Sequence, residues 1–274
     1  MINEITLQVN DGTKLYIKEW EVQQPKALIC IIHGFGEHIN RYNHIAEFFN
    51  QHSYAVAGMD TRGHGNSEGR RGHTPSYETY LDDIQTFTET AHKSYPTAPL
   101  ILWGHSMGGN LVLNYLIKRQ PNVKCVVATS PWIRLAFQPK PMLLFLGKMM
   151  RNIAPTFTQS TKLNPSHISK DPAVVQAYIK DPLVHDKMSA SASMGVLDAA
   201  AWLNQYSGKI NVPLLIMHGD ADKLIDPAAS KEFADRLTGN VTHKMWKDLH
   251  HETHNDPEQK EVLNYALQWI QSKL

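Results

Sequence analysis

The chain has very little cysteine and no long apolar run. Its 274 residues include two cysteines, Cys30 and Cys125, each within an apolar stretch of strand type. Without metal-ligand spacing they form neither a disulfide framework nor a zinc site, so we expect two small buried side chains. No stretch approaches the ~18 apolar residues of a membrane-spanning helix, and none near the N-terminus resembles a signal-peptide core. We therefore expect a cytoplasmic protein.

An excess of charge of either sign is also missing. Lys and Arg total 27 and Asp and Glu total 26, which gives a formal net charge of +1. Such a balance gives no reason to expect a nucleic-acid partner. The glycine-rich segment 60–70 lacks the Gly-x-x-x-x-Gly-Lys pattern of a phosphate-binding loop, so we expect a structural loop and no cofactor. The length and the 42% hydrophobic content suit one large domain with an insertion.

A candidate nucleophile stands between a strand and a helix. Residues 100–103 form a short apolar run, which is followed by Gly104-His105-Ser106-Met107-Gly108 and then by a helical segment at 110–119. This order matches the Gly-x-Ser-x-Gly elbow, in which a serine sits on a sharp, strained turn and neighbouring glycines let the strand and helix approach closely. The pattern predicts that Ser106 is a catalytic nucleophile.

A second glycine-rich turn follows the buried strand at 27–32. It reads His33-Gly34-Phe35-Gly36-Glu37-His38. Acyl transfer needs backbone N–H groups aimed at the oxyanion that develops on the attacked carbonyl. We expect the N–H groups of Phe35 and Met107 to form this oxyanion hole.

The remaining pattern predicts an α/β fold. Segments 4–9 and 14–21 alternate in strand fashion around a turn, which indicates an antiparallel start. Later apolar strands alternate with amphipathic helices, which is typical of a mostly parallel sheet with helices on both faces. The predicted strands lie at 27–32, 55–59, 100–103, 123–129, 212–217 and 242–246, and the main helices lie at 40–51, 76–94, 110–119, 229–237 and 258–272.

Residues 131–206 interrupt that alternation after the sixth strand. The stretch is too long for a plain crossover, so we expect an inserted helical cap that divides the core into residues 1–130 and 207–274. Its segment 141–154 is the most apolar in the chain and is rich in methionine. Two interpretations stay open: a helix packed on the body, or a lid that lines an acyl-chain pocket and touches a lipid surface transiently. The second makes Met142, Phe145 and Met149 substrate-binding candidates.

Candidates for the acid and the base follow the serine. Asp220, Asp222 and Asp226 come after the strand at 212–217, and Asp226 precedes proline as an ordinary helix N-cap would. The later cluster His250, His251 and His254 lacks the His-Glu-x-x-His spacing of a zinc protease, so we expect no metal. These patterns leave two aspartates and two histidines as alternatives.

Three sequence blocks together resemble the α/β-hydrolases, and within them the monoacylglycerol lipase and lysophospholipase group, which is also placed with serine aminopeptidase-like hydrolases. The blocks are 33–38 with Arg41-Tyr42, Asp60-x-Arg62-Gly63-His64-Gly65-x-Ser67, and 104–109. The resemblance implies the α/β-hydrolase fold and a Ser106, Asp222 and His251 triad, because the family's acid lies three residues after Gly219 and its histidine directly precedes Glu252. The family usually has tyrosine where this chain has His250.

The resemblance also implies the chemistry. It predicts a carboxylic ester hydrolase that cleaves monoacylglycerol to fatty acid and glycerol through an acyl-enzyme, with a small ester carrying one acyl chain as its partner. A lysophospholipase and a general carboxylesterase are the nearest alternatives. A peptidase of the same branch and a non-catalytic ligand-binding scaffold are more distant ones. The head group, the acyl-chain length and the oligomeric state stay open.

Overall fold

A computed structural model describes all 274 residues. Its core is an eight-stranded sheet, and two short strands pair separately. The ten strands are β1 (Ile2–Gln8), β2 (Lys14–Trp20), β3 (Leu28–Ile32), β4 (Ala55–Met59), β5 (Leu100–His105), β6 (Cys125–Thr129), β7 (Thr158–Ser160), β8 (Lys187–Ser189), β9 (Gly208–Gly219) and β10 (Leu237–Trp246). The eight α-helices are α1 (Asn43–Gln51), α2 (Tyr77–Ser94), α3 (Met107–Arg119), α4 (Pro141–Ile153), α5 (Pro172–Lys180), α6 (Ala190–Gln205), α7 (Pro227–Arg236) and α8 (Gln259–Gln271).

The strands of the large sheet follow the order β1-β2-β4-β3-β5-β6-β9-β10. The pairs β1–β2 and β2–β4 are antiparallel, and every other neighbouring pair is parallel. Residues of β3, β4 and β6 are all buried, as expected for parallel strands covered on both faces. The expected mostly parallel sheet with an antiparallel start is confirmed.

Helices cover both faces of this sheet. On one face α1 and α8 pack their apolar stripes, including Phe49 and Ile270, against Trp103 of β5. On the other face α2, α3, α6 and α7 contribute to a larger cluster that contains Phe87 and Phe233. Cys30 and Cys125 are buried free thiols within the sheet, and burial raises the pKa of Cys125 to about 12.

The segment between β6 and β9 carries α4, α5, α6 and the β7–β8 pair. Helix α6 packs on α2 and α3 and buries Val196 and Leu203 in the core, whereas α4 has no fully buried side chain. The helices therefore follow the sixth strand as expected, but the last of them, α6, also forms part of the main hydrophobic core. None of the helices combines the length and apolar character needed to cross a bilayer.

Candidate active site

Ser106 lies between the end of β5 and the start of α3. Its backbone has φ 54° and ψ −114°, a conformation that a non-glycine residue adopts only when its surroundings enforce it. Three backbone hydrogen bonds do so. The N–H of Ser106 donates to Thr129 O at 2.9 Å, and the carbonyl of Ser106 accepts from the N–H groups of Asn110 at 2.9 Å and Trp132 at 3.0 Å.

The flanking glycines allow strand and helix to meet at this turn. A Cβ atom on Gly104 would lie 2.3 Å from the carbonyl oxygen of Gly108, and one on Gly108 would lie 2.1 Å from that of Ile32. Real Cβ atoms do not approach backbone oxygens so closely. The two glycines of the pattern are therefore required by close packing between β3, β5 and α3.

Asp222 and His251 are in direct contact. Nδ1 of His251 lies 2.6 Å from Oδ2 of Asp222, while Oδ1 accepts the N–H groups of Leu224 at 2.8 Å and Ile225 at 3.1 Å. Burial alone would raise the pKa of Asp222, but the charge of His251 and hydrogen bonds from histidines hold it far below its ordinary value. Asp222 is thus a carboxylate, which only accepts hydrogen bonds.

His251 and Ser106 line one cavity. Burial alone would lower the pKa of His251, but the charge and hydrogen bond of Asp222 raise it above the ordinary value. The loop that carries His251 is fixed to β6, because the hydroxyl of Ser130 donates to the His251 carbonyl at 2.7 Å. The imidazole also packs on the ring of His105, with centroids 4.8 Å apart.

The competing acid and base candidates have other partners. Asp220 is exposed and accepts the N–H of Asp248 at 2.6 Å. Asp226 caps α7 by accepting the N–H of Ala228 at 2.9 Å. His250 does not line the cavity.

The two expected oxyanion donors belong to Phe35, which follows Gly34, and to Met107, which follows Ser106. A Cβ atom built on Gly34 would lie 3.2 Å from Cβ of Ser106, so the turn after β3 approaches the elbow closely. Met107 is the first residue of α3, where backbone N–H groups have no partner within the helix. The N–H groups of Phe35 and Met107 have no backbone acceptor.

A buried ionic cluster joins the oxyanion turn to the histidine loop. Oε1 of Glu37 accepts the N–H of Gly34 and the hydroxyl of Tyr42, both at 2.7 Å. The guanidinium of Arg41 contacts Glu37 and makes two hydrogen bonds of 2.7 Å to the carboxylate of Glu252, the residue after His251. The motif residues 33–41 therefore position two parts of the site together.

The same cluster does not suit a metal ion. Ligand atoms of Glu37, His105 and Glu252 lie within 4.8 Å of one another. The guanidinium of Arg41 already hydrogen-bonds both carboxylates. A divalent cation would have to displace that buried charge, so these residues do not fit a metal.

The cavity at Ser106 and His251 has a volume of about 480 Å³ and a largely apolar wall. Its apolar side chains come from the turn after β3 and from the segment between β6 and β9, with two from the loop after β9. They include Phe35, Trp132, Leu135, Phe137, Leu163, Ile168, Tyr178, Met188, Leu197, Leu224 and Ile225.

The expected cap residues Met142, Phe145 and Met149 lie outside this cavity. Their side chains are 66%, 60% and 41% exposed on α4. The wall residues of the segment between β6 and β9, and Leu224 and Ile225 after β9, lie in no sequence motif, so no local pattern predicted them. The sequence analysis identified Arg41 only as part of a motif and assigned it no role. It also assigned no role to His218, the residue before Gly219, which contacts Asp222.

Several known proteins are similar to this chain in sequence and fold. The profile of the family described as "Serine aminopeptidase, S33" matches residues 23–258. A monoacylglycerol lipase of Mycolicibacterium smegmatis is 33% identical over 96% of this chain and 95% of its own length. The crystal structure of a monoacylglycerol lipase from Paleococcus ferrophilus superposes with a TM-score of 0.87 and 31% identity over 95% of this chain and 99% of the other.

A third relative is much longer. An uncharacterised abhydrolase domain-containing protein of Dictyostelium discoideum is 37% identical over 98% of this chain, which spans only 29% of that protein. The family profile covers most of the chain, and the mycobacterial relative is matched over almost its whole length. The chain therefore has the α/β-hydrolase fold and belongs to the serine aminopeptidase S33 family of hydrolases.

Proposed function

We propose that the chain is a carboxylic ester hydrolase for lipids with one acyl chain, above all monoacylglycerols, which it cleaves to a fatty acid and glycerol. One observation carries the proposal: the strained Ser106 and His251, which is hydrogen-bonded to Asp222, line one largely apolar cavity. The relatives named monoacylglycerol lipase support a lipid ester as the substrate.

The chemistry follows from what each group can do. His251, held in one tautomer by Asp222, takes the proton of the Ser106 hydroxyl as its oxygen attacks the ester carbonyl. The imidazolium then gives that proton to the leaving glycerol oxygen as the ester bond breaks. Water, activated by the same imidazole, attacks the acyl-enzyme and frees the fatty acid.

The negative charge that forms on the attacked carbonyl needs fixed donors. The N–H groups of Phe35 and Met107 supply them, and that of Met107 stands at the positive end of α3. Glu37 holds the Gly34 N–H at 2.7 Å and so fixes the turn that presents Phe35. This contact supports a turn that is rigid before the substrate binds.

The cavity suits an acyl chain better than a peptide. An aminopeptidase must bind the free amino group of its substrate through a carboxylate. The wall of the cavity has two carboxylates, Glu37 and Glu252, and both are paired with Arg41. A substrate ammonium group would therefore have to compete with the Arg41 guanidinium for either carboxylate.

A second candidate substrate, a lysophospholipid, is favoured by two cations at the cavity. Lys162 and Lys223 both line it, both are exposed, and neither forms an ion pair with a carboxylate. A phosphate head group would gain from both charges. Hydrolysis of an anionic lysophospholipid should therefore fall in the double variant Lys162→Gln/Lys223→Gln, while monoacylglycerol hydrolysis should not.

We also propose that α4 touches the lipid surface. Its exposed apolar side chains are flanked by Lys140 and Lys148, and such a pairing of apolar and basic residues is typical of helices that lie at a membrane interface. A long-chain substrate could then pass from an aggregate to the cavity beneath the segment 131–206. The exposed apolar side chains of α4 that would contact the lipid are Met142, Leu143, Phe145, Leu146, Met149 and Ile153.

The direct test measures fatty-acid release from a long-chain monoacylglycerol, with Ser106→Ala as the matched variant. We expect rapid release by the wild type and a loss of about a thousandfold or more in the variant. An amino-acid anilide serves as the peptidase substrate. Cleavage of the anilide without release of fatty acid would overturn the proposal, and so would full activity of Ser106→Ala.

A further inference from the structure

We infer that His218 is a positioning residue for this reaction: it holds Oδ2 of Asp222 and weakens the attraction of that carboxylate for the proton on His251. The inference rests on the proposed function, because it concerns the same triad. It predicts that His218 keeps the base active at a pH at which His251 would otherwise be protonated.

His218 is the penultimate residue of β9 and is fully buried. Its Nε2 lies 3.0 Å from Oδ2 of Asp222, the same oxygen that lies 2.6 Å from Nδ1 of His251. Two histidines thus share one carboxylate oxygen, while the other oxygen is saturated by backbone N–H groups. These contacts on both oxygens fix the orientation of the Asp222 carboxylate.

The proton positions follow from the acceptor. A carboxylate cannot donate, so the hydrogen in the contact to Asp222 belongs to Nε2 of His218. The other ring nitrogen of His218 lies 3.0 Å from the hydroxyl of Ser230, which also contacts the Pro227 carbonyl at 2.9 Å. These contacts fix the ring and keep its N–H aimed at the carboxylate.

A second donor changes how strongly Asp222 attracts a proton. The N–H of His218 places partial positive charge on Oδ2, which reduces the negative potential that stabilises the His251 imidazolium. Removing the donor should therefore make His251 easier to protonate. The acid limb of the pH–rate profile should then move to higher pH.

The titratable groups around His251 should not obscure a shift of the acid limb of the pH–rate profile between variants. Burial lowers the pKa of His243, which lies 3.3 Å from Ser230, to about 4, and that of His105 to about 3. His254, on the far side of His105, is also held well below its ordinary pKa by burial. Glu37 and Glu252 also act on His251 and share the single charge of Arg41; burial raises the pKa of Glu37, an effect common to the wild type and the His218 variants.

The test compares three variants by their kcat/KM on a short soluble ester between pH 5 and 9. His218→Gln can return a donor near the position of Nε2, whereas His218→Asn keeps polarity but is too short to reach Asp222, and His218→Leu removes the donor. We expect the acid limb to move up by about half a pH unit or more in the Leu and Asn variants. In the Gln variant it should stay near that of the wild type.

His92→Leu is the matched control, because it removes a partly buried imidazole in the last turn of α2 that hydrogen-bonds the Ala98 carbonyl at 3.0 Å and does not line the cavity. If His218→Leu does not fold, the comparison of the acid limbs of His218→Asn and His218→Gln tests the inference. Equal acid limbs in Asn, Gln and wild type would overturn the inference while leaving the proposed function intact. An absence of ester cleavage by the wild type would overturn both.

Discussion

Arg41 and Glu252 form a bidentate ion pair with two N–O distances of 2.7 Å, although they are 211 residues apart in the chain. Arg41 follows the oxyanion turn, and Glu252 follows the proposed base His251. Both side chains are at least 90% buried. The pair therefore connects two loops that, in the proposed mechanism, must keep a fixed distance for acyl transfer.

Replacing Arg41 should destabilise the protein strongly. Arg41→Met leaves Glu37 and Glu252 as neighbouring buried carboxylates without a countercharge, so we expect the free energy of unfolding to fall by about 3–5 kcal/mol. Denaturant titration measures the change. Arg151→Met is the control, since its pair with Asp198 is exposed, and it should cost less than about 1 kcal/mol. Equal losses would contradict the role given to burial.

A single methyl group added at Gly104 of the elbow should destabilise the protein. Gly104→Ala brings a Cβ to 2.3 Å from the Gly108 carbonyl, so β5 and α3 must separate. We expect a loss of at least about 2 kcal/mol in unfolding free energy and a larger loss of ester turnover. Gly147→Ala in α4 is the control, because its new Cβ would meet only the flexible end of Met194. A fully active Gly104→Ala variant would disprove the packing argument.

Ester hydrolysis should decline on the acid side as His251 gains a proton. The pKa of His251 is raised by Asp222, so the neutral base is lost as the pH falls through a value above the ordinary one of about 6.5. A stopped assay from pH 5 to 9 with short esters measures this limb. A flat profile over that range would contradict a histidine base.

Asp222→Asn should lower kcat by roughly 10⁴-fold, because asparagine no longer selects the productive tautomer of His251. The neighbouring Asp220→Asn variant is the control and should change kcat little, since Asp220 is exposed and contacts only a backbone N–H. Steady-state kinetics on one ester compare the two. A larger loss of kcat in Asp220→Asn than in Asp222→Asn would mean that Asp220 is the acid of the triad.

Charges on α4 should impair hydrolysis of aggregated substrate selectively. Met142→Asp/Phe145→Asp replaces two side chains that are 66% and 60% exposed, and loss of their contact with a lipid surface should lower turnover of dispersed monoacylglycerol by about tenfold. Turnover of a short soluble ester should not change. Ile179→Asp on α5, at a side chain that is 55% exposed, is the control. An equal loss on both substrates would point to the cavity instead of the surface.

Local patterns predicted the elements that build the core of the site. Continuous apolar runs marked β3 and β6, and the glycine pattern around Ser106 marked the turn from β5 into α3, because these signals act over a few neighbouring residues. β9 begins at Gly208, four residues before the run at 212–217 suggested. Residues 208–210 pair with β10 but form no continuous apolar run, since only Ile210 among them is apolar.

Long-range relationships could not be read in the same way. The ion pair of Arg41 with Glu252 joins two loops that are 211 residues apart in the chain. The contact of His218 with Asp222 spans only four residues, but it depends on how the chain turns after β9. The cavity wall between Phe137 and Leu197 has no motif. The apolar face of α4 predicted a helix, but apolarity alone does not distinguish a wall residue from an exposed one, and Phe145 is exposed.

The central claim is that Ser106 forms a covalent bond with the acyl group of a lipid ester. A long-chain alkyl fluorophosphonate, followed by peptide mapping by mass spectrometry, tests this most directly. We predict one adduct per chain on the peptide that contains Ser106, slower labelling in the presence of monoacylglycerol, and no adduct in Ser106→Ala. Labelling of another residue, or labelling that monoacylglycerol does not slow, would contradict the account.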